Sequence, residues 1–164
     1  MNRTARVITA STRAAAGTWT DTSGPIVVDG LKALGLDVGA PLVVADGEPV
    51  LAALREAVGA NVDLIITTGG TGHTPTDLTP EMTLQVVDRL SPGLAELVRG
   101  YGVANGVPTA VLSRGVAGIA GKTLIVNLPG SNGGARDGVA ALAPVLLHAL
   151  DQIHGGDHPR TLDA

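Results

Sequence analysis

Asp63-Leu64-Ile65-Ile66-Thr67 is a continuous, largely β-branched run with Leu64, Ile65 and Ile66 in succession. A strand with one wet face would alternate apolar and polar residues, whereas a strand covered on both faces reads continuously apolar. This run predicts a buried strand in a parallel sheet flanked by helices. Other strand-like runs lie at 7–10, 38–45, 109–112 and 123–126, with Pro41 placing the second at a sheet edge. Helices are predicted between them. One is capped by Thr22-Ser23, carries Ile26, Val27, Leu31 and Leu34, and ends at Gly35. Another starts at Asp46-Gly47-Glu48-Pro49 and places Leu51, Leu54 and Val58 on one face. A third runs from Thr79 to about Leu90, with Thr79 as capping hydroxyl, Pro80 at the first position and Glu81 in the first turn. A fourth begins near Leu94 after Pro92-Gly93, and the last covers 134–153, kinked or restarted near Pro144. Strand–helix alternation along the whole chain gives an α/β fold, with a largely parallel sheet and helices on both faces.

The 164 residues suit one domain, expected over 1–154, with a flexible tail over 155–164. With no Phe, and with Trp19 and Tyr101 as the aromatics, the core is expected to consist of Val, Leu, Ile and Ala. The absence of Cys excludes disulfides, thiolate metal sites and cysteine nucleophiles. A net charge of −4, with Lys32 and Lys122 as the lysines, argues against a nucleic-acid groove. No apolar run approaches the roughly 20 residues of a membrane span, and the first six residues show no signal-peptide pattern. A cytoplasmic location without nucleic-acid or membrane partners is the expectation. His154 and His158 flank two glycines in the tail and make a poor zinc pair, while His73 in the glycine loop faces either ligand or solvent.

In open α/β sheets ligands sit at the carboxyl ends of the strands. The polar and glycine-rich segments fall at those ends: Ser11, Asp46, Gly69 to Asp77, Ser113, and Asn127 to Ser131. Thr67-Thr68-Gly69-Gly70-Thr71-Gly72 offers successive backbone N–H groups to a phosphate, although the same residues equally suit a tight strand-to-helix turn. It lacks the Gly-Lys-Ser/Thr of a Walker loop and the dinucleotide spacing. Asp46 and Asp77 each read alone as a helix-start carboxylate. Together beside such a loop they suit Mg²⁺, which would screen a triphosphate. Ser113-Arg114 offers a hydroxyl and a guanidinium to phosphate or is simply a loop; Asn127-Leu128-Pro129-Gly130-Ser131 offers an amide, N–H groups and a hydroxyl or is a turn. No Ser lies in a G-x-S-x-G elbow.

Taken in order, Thr67 to Gly72, Thr74-Pro75-Thr76-Asp77-Leu78-Thr79-Pro80-Glu81, Pro92-Gly93, Leu112-Ser113-Arg114 and Asn127 to Ser131 closely resemble the Mog/MoaB family of molybdenum cofactor biosynthesis, over about 6–153. The resemblance implies a three-layer α/β/α sandwich assembled as a homotrimer. It implies transfer of AMP from Mg-ATP to the molybdopterin phosphate with release of pyrophosphate, the product passing to a MoeA-type molybdate-inserting partner. By position, Asp46 and Asp77 match the essential acids at the magnesium–phosphate centre, Gly69, Gly70, Thr71 and Gly72 the nucleotide loop, and Ser113 the serine beside the reacting phosphates. Ser11, Asn127, Pro129, Gly130 and Ser131 match the segments that hold the pterin. A molybdopterin-binding protein without transferase activity is the alternative, and retention of both acids favours the enzyme.

Three positions depart from the family pattern: Thr12 where Asp is frequent, Thr76 where Arg is frequent, and Asn132 where Pro is common. Lys122, Arg114 and Arg13 are the cations available to replace the one missing at Thr76. With so few aromatics, the pterin ring is expected to be held by main chain, amide and hydroxyl groups rather than by stacking.

Overall fold

A computed structural model describes residues 3–156. Most of the predicted tail, including His158, lies outside the described residues. The chain runs β1 (Thr4–Ala10), α1 (Thr12–Ala15), α2 (Ser23–Ala33), β2 (Asp37–Val38), β3 (Leu42–Val44), α3 (Glu48–Gly59) and β4 (Leu64–Thr68). It continues through α4 (Thr79–Leu84), β5 (Arg89–Leu90), α5 (Pro92–Ala104), a 3₁₀ turn (Pro108–Leu112), β6 (Ala117–Ala120), β7 (Thr123–Leu128) and α6 (Asn132–Ile153).

The strands form one seven-stranded sheet in the order β2-β1-β4-β7-β6-β5, with β3 also paired to β1. β1, β2, β3, β4 and β7 are parallel, while β6 and β5 extend the sheet in antiparallel fashion. β4 lies at the centre, in register with β1 (Ala5 opposite Leu64) and with β7 (Leu64 opposite Leu124). All five of its residues are buried, as its unbroken apolar pattern requires.

The two-residue period of a strand divides the core into two layers. Leu64 and Ile66 face one layer with Val7, Leu124 and Val126, packed against Val27 and Leu31 of α2, Val98 of α5, and Leu142 and Leu146 of α6. Ile65 faces the other with Ile8 and Ile125, packed against Val50, Leu51 and Leu54 of α3 and Met82 of α4. Helices on both faces of a mostly parallel sheet make the expected three-layer α/β/α sandwich, with a core of aliphatic residues.

Several local expectations are corrected. Residues 109–112 form a 3₁₀ turn, not a strand: Pro108 opens it, and exposed Val111 and Leu112 have no sheet to join. The helix from Thr79 stops at Leu84, after which Val86 and Val87 turn back into the core and β5 begins. Thr79 lies within that helix, one residue past its cap Leu78. Thr22-Ser23 supplies no side-chain cap to α2; the Asp21 carboxylate accepts the Gly24 N–H instead, at 3.0 Å. The region 38–45 divides into β2 and β3 around Pro41, both on β1, while α6 is one helix through Pro144 and does not restart.

Away from the ligand-facing end, Asp63 ties the start of β4 to β1 and α6. It accepts hydrogen bonds from the Thr4 N–H (2.7 Å) and hydroxyl, pairs with Arg3, and lies 3.0 Å from His154 Nε2. Burial pushes its carboxyl up, but these partners together outweigh burial and hold it below the ordinary range. His154 is therefore a structural contact at the base of the sheet.

Candidate functional site

The rim begins where β1, β4 and β7 end together. Gly69 follows β4 with φ +95°, and a Cβ there would stand 2.3 Å from the Ala10 carbonyl oxygen at the end of β1. A Cβ on Gly130, after β7, would stand 2.9 Å from Gly69 Cα. The main chain of three strand ends therefore touches, which only glycine permits.

Two cavities open on either side of this contact, of about 560 and 610 Å³. Gly69, Gly70, Asp77 and Gly130 line both, so the wall between them is largely bare main chain. The first cavity adds Thr71, Gly72, Ser113, Pro129 and Ser131, with Val98, Val107 and Leu112 as an apolar side. The second adds Ser11, Thr12, Arg13, Trp19, Asp46 and Thr76.

The two acids are held alike. Asp46 Oδ2 accepts the Thr12 N–H (3.0 Å) and hydroxyl (2.7 Å). Asp77 Oδ2 accepts the Thr74 N–H (3.0 Å) and hydroxyl (2.6 Å). No described residue donates to Oδ1 of either, and both acids line the second cavity. Two fixed carboxylates, each with a free oxygen, suit a hard divalent cation that completes its shell with water and phosphate oxygens. The described residues hold no group of three or more His, Cys, Asp or Glu able to enclose a metal by themselves. The Thr79 hydroxyl is fully buried without a hydrogen-bond partner. A Cβ on Gly70 would meet it at 2.3 Å and Asp46 Oδ1 at 3.1 Å, so Thr79 backs the glycine turn that packs against Asp46.

Arg114 holds the glycine loop rather than presenting itself to a ligand. Its backbone N–H donates to Thr71 O (2.8 Å), its Nε to Gly72 O (2.7 Å) and its Nη2 to Asp77 O, and its guanidinium pairs with Glu81. The Arg114 hydrogen bond is the main cause that holds the Glu81 carboxyl below its ordinary range, and Glu81 in turn raises Arg114. Ser113 Oγ reaches Thr71 Oγ1 at 3.3 Å and accepts from the Gly115 N–H, so it borders the first cavity from beneath the loop.

Asn127 does not join the rim. It is buried, its amide donating to Thr67 Oγ1 (2.9 Å) and Thr83 Oγ1 (3.0 Å) and accepting from the Val116 N–H (3.1 Å). It welds β7 to β4 and α4 and lines neither cavity. Ser11 lies apart from Pro129 and Ser131: it lines the second cavity while they line the first, and its hydroxyl accepts from the Ala14 N–H. Ser131 caps α6 by accepting from the Gly134 N–H at 3.0 Å. His73 is exposed and lines neither cavity. Lys122 lies in the β6–β7 turn, at the far end of the sheet.

The family described as "Probable molybdopterin binding domain" matches residues 6–148. The chain belongs to this family. A solved Mog protein of molybdopterin biosynthesis from Mycobacterium ulcerans is 58% identical, with a TM-score of 0.87 over 92% of this chain and 99% of that one. A molybdopterin adenylyltransferase of Helicobacter pylori is 37% identical over 156 residues, covering 91% of this chain and 86% of the relative. A molybdenum cofactor biosynthesis bifunctional protein of Chlorobaculum tepidum is 39% identical over 154 residues, 93% of this chain. The chain spans about half the length of that relative, 49%. Within this molybdopterin-binding family fold, the residues missed by sequence reasoning are Thr12 and Thr74, which orient the acids, and Thr79 behind them. Their short spacing from a glycine turn or an Asp was visible, but the 34-residue separation of Thr12 from Asp46 was not.

The Glu81–Arg114 pair predicts a pH-dependent stabilisation. Because Glu81 is depressed in the fold, the contribution is present above its ordinary value of 4.5 and is lost as pH falls through the lower, folded value. Both side chains are partly exposed, so screening limits it to about 1 kcal/mol or less. In urea unfolding, Glu81→Gln should be less stable than the parent at pH 7, with the difference disappearing towards pH 3. A difference that persists undiminished at pH 3 would contradict the pair.

Proposed function

We propose that the chain is a molybdopterin adenylyltransferase using Mg-ATP. The observation that carries this is the matched pair of threonine-held carboxylates, Asp46 and Asp77, each with a free oxygen at one cavity beside the glycine wall. The shared Gly69–Gly70 and Gly130 main chain lets phosphates approaching from the two cavities meet beside Asp77, the one residue with a side chain that lines both. The Helicobacter pylori relative carries that activity in its name.

In this reaction a molybdopterin phosphate oxygen forms a bond to the α-phosphorus of ATP. The bond from that phosphorus to the bridging oxygen of the β-phosphate breaks, and pyrophosphate leaves with the electron pair. The nucleophile is already an anion, so no protein base has to remove a proton. Bound magnesium would supply charge neutralisation for the triphosphate and for the leaving pyrophosphate. The chain's part is positioning. Asp46 and Asp77 present the oxygens that would hold the cation, and Gly70 to Gly72 bring N–H groups to the phosphates. Ser113 and Arg114 fix that loop, and Pro129, Gly130 and Ser131 form the facing wall.

The same proposal places the protein in the cytoplasm as a homotrimer that hands its product to a MoeA-type partner. Exposed Leu97 and Val103 on α5, with Val107 and Val111 beside them, support a subunit contact there. Light scattering should then give three times 16.4 kDa; a mass of one chain at all concentrations would reject the trimer.

Purified protein with molybdopterin and Mg-ATP should release pyrophosphate and yield the adenylylated pterin. Folded, pterin-bound protein that makes neither product would overturn the proposal in favour of a binding protein. Asp77→Asn should abolish turnover while retaining pterin binding, whereas a parallel loss of both would remove Asp77 from the chemistry. Thr12→Val, which removes the hydroxyl bond to Asp46 and leaves only the main-chain one, should lower turnover roughly 10- to 100-fold through misplacement of the acid. Thr12→Ser should restore most of it. Equal rates for the two variants would show that Thr12 does not orient Asp46.

A further inference from the structure

Trp19 is the chain's single tryptophan, 59% exposed, and it lines the second cavity with Asp46 and Asp77. Its place is fixed by the backbone. The Arg13 carbonyl accepts the N–H of Thr18 (3.0 Å) and of Trp19 (3.2 Å), and the Thr18 hydroxyl (2.8 Å), with Gly17 at φ +75° reversing the chain. The turn folds the Arg13 side chain onto the indole, its guanidinium 3.7 Å from the ring centroid. A guanidinium stacked in this way keeps its N–H donors in its own plane.

No described residue accepts a hydrogen bond from that guanidinium, and Arg13 is the one basic side chain among the described residues lining the second cavity. Three carboxylates line the same cavity, and Asp21 is already committed to Thr9, Ser23 and Gly24. One face of a large aromatic ring is thus covered by a planar cation, the ring stays widely exposed, and the cation keeps its donors free. A concave site with these two groups side by side fits a flat ring tethered to an anion.

We propose that Trp19 and Arg13 form a stacking platform for a fused-ring nitrogen heterocycle that carries a phosphate. The ring lies on the indole face opposite Arg13, and the guanidinium fork reaches the phosphate. This rests on the adenylyl-transfer proposal, in which both substrates, the adenine nucleotide and the pterin phosphate, have that chemistry.

The single tryptophan makes the test direct, because all indole fluorescence reports this site. The full chain is titrated with Mg-ATP in one arm and with molybdopterin in the other, with affinities measured in parallel by calorimetry. Fluorescence should change and saturate with the calorimetric affinity in at least one arm, and that arm identifies the stacked ring. Trp19→Ala should weaken the same ligand about tenfold or more, while Trp19→Phe keeps it within about threefold. Circular dichroism of both variants should match the parent, since Trp19 is outside both core layers. Binding of both ligands with flat fluorescence, parental affinity in Trp19→Ala, or no binding of either ligand would each overturn the platform. A fluorescence change without pyrophosphate release leaves the platform standing and removes the transferase proposal. Pyrophosphate release without any fluorescence change does the reverse.

Discussion

Three strand ends meet at Gly69, and the rest of the rim depends on that contact. The Gly69 N–H donates to Leu128 O at 3.1 Å, its α-carbon faces Gly130, and its missing side chain makes room for the Ala10 carbonyl. β1, β4 and β7 can therefore finish level, with their loops thrown outward to either side. The two cavities follow from this geometry: each lies on one side of a wall only as thick as the main chain. A side chain at Gly69 would strike the Ala10 carbonyl and push the strand ends apart. The glycines thus do more than turn the chain, because they let the two cavities lie back to back.

Charge is arranged around that wall in two tiers. Beneath it, Arg114 is neutralised by Glu81 and binds loop carbonyls, so it stiffens the wall without adding free positive charge. Above it, Asp46 and Asp77 are oriented by threonines that donate to one oxygen each. Threonine orients a carboxylate without neutralising it, which an arginine would do. The acids remain able to attract a cation.

The continuous burial of β4 was legible in the sequence because a strand between two helical layers reads as an unbroken run with no charged position. The glycine loop was legible because it follows β4 directly, Asp46 because it lies just past β3, and Asp77 because it closes that loop before α4. Residues 109–112 misled because β-branched residues look the same in an exposed 3₁₀ turn as in a strand, and only the missing partner strand distinguishes them. Asn127 misled because an amide at the end of a strand suits a ligand and a buried weld equally. Its inward direction is set by Thr67, Thr83 and the Val116 N–H, none of them near it in sequence. Composition led away from Trp19, since a scarcity of aromatics says nothing about where the single indole stands.

The three departures from the family pattern now have physical accounts. Thr12 holds Asp46, Thr76 lies 3.3 Å from the Thr74 hydroxyl that holds Asp77, and Asn132 accepts from the Thr22 hydroxyl at 2.8 Å. Each has been absorbed into the hydrogen bonding of the rim. The cation absent at position 76 is a different matter, because a hydrogen bond does not replace a charge. Arg114 is committed to Glu81, and Lys122 lies at the far end of the sheet. Arg13 alone, among the described residues lining the second cavity, remains to meet a phosphate there, and its stacking on Trp19 leaves its donors free to do so.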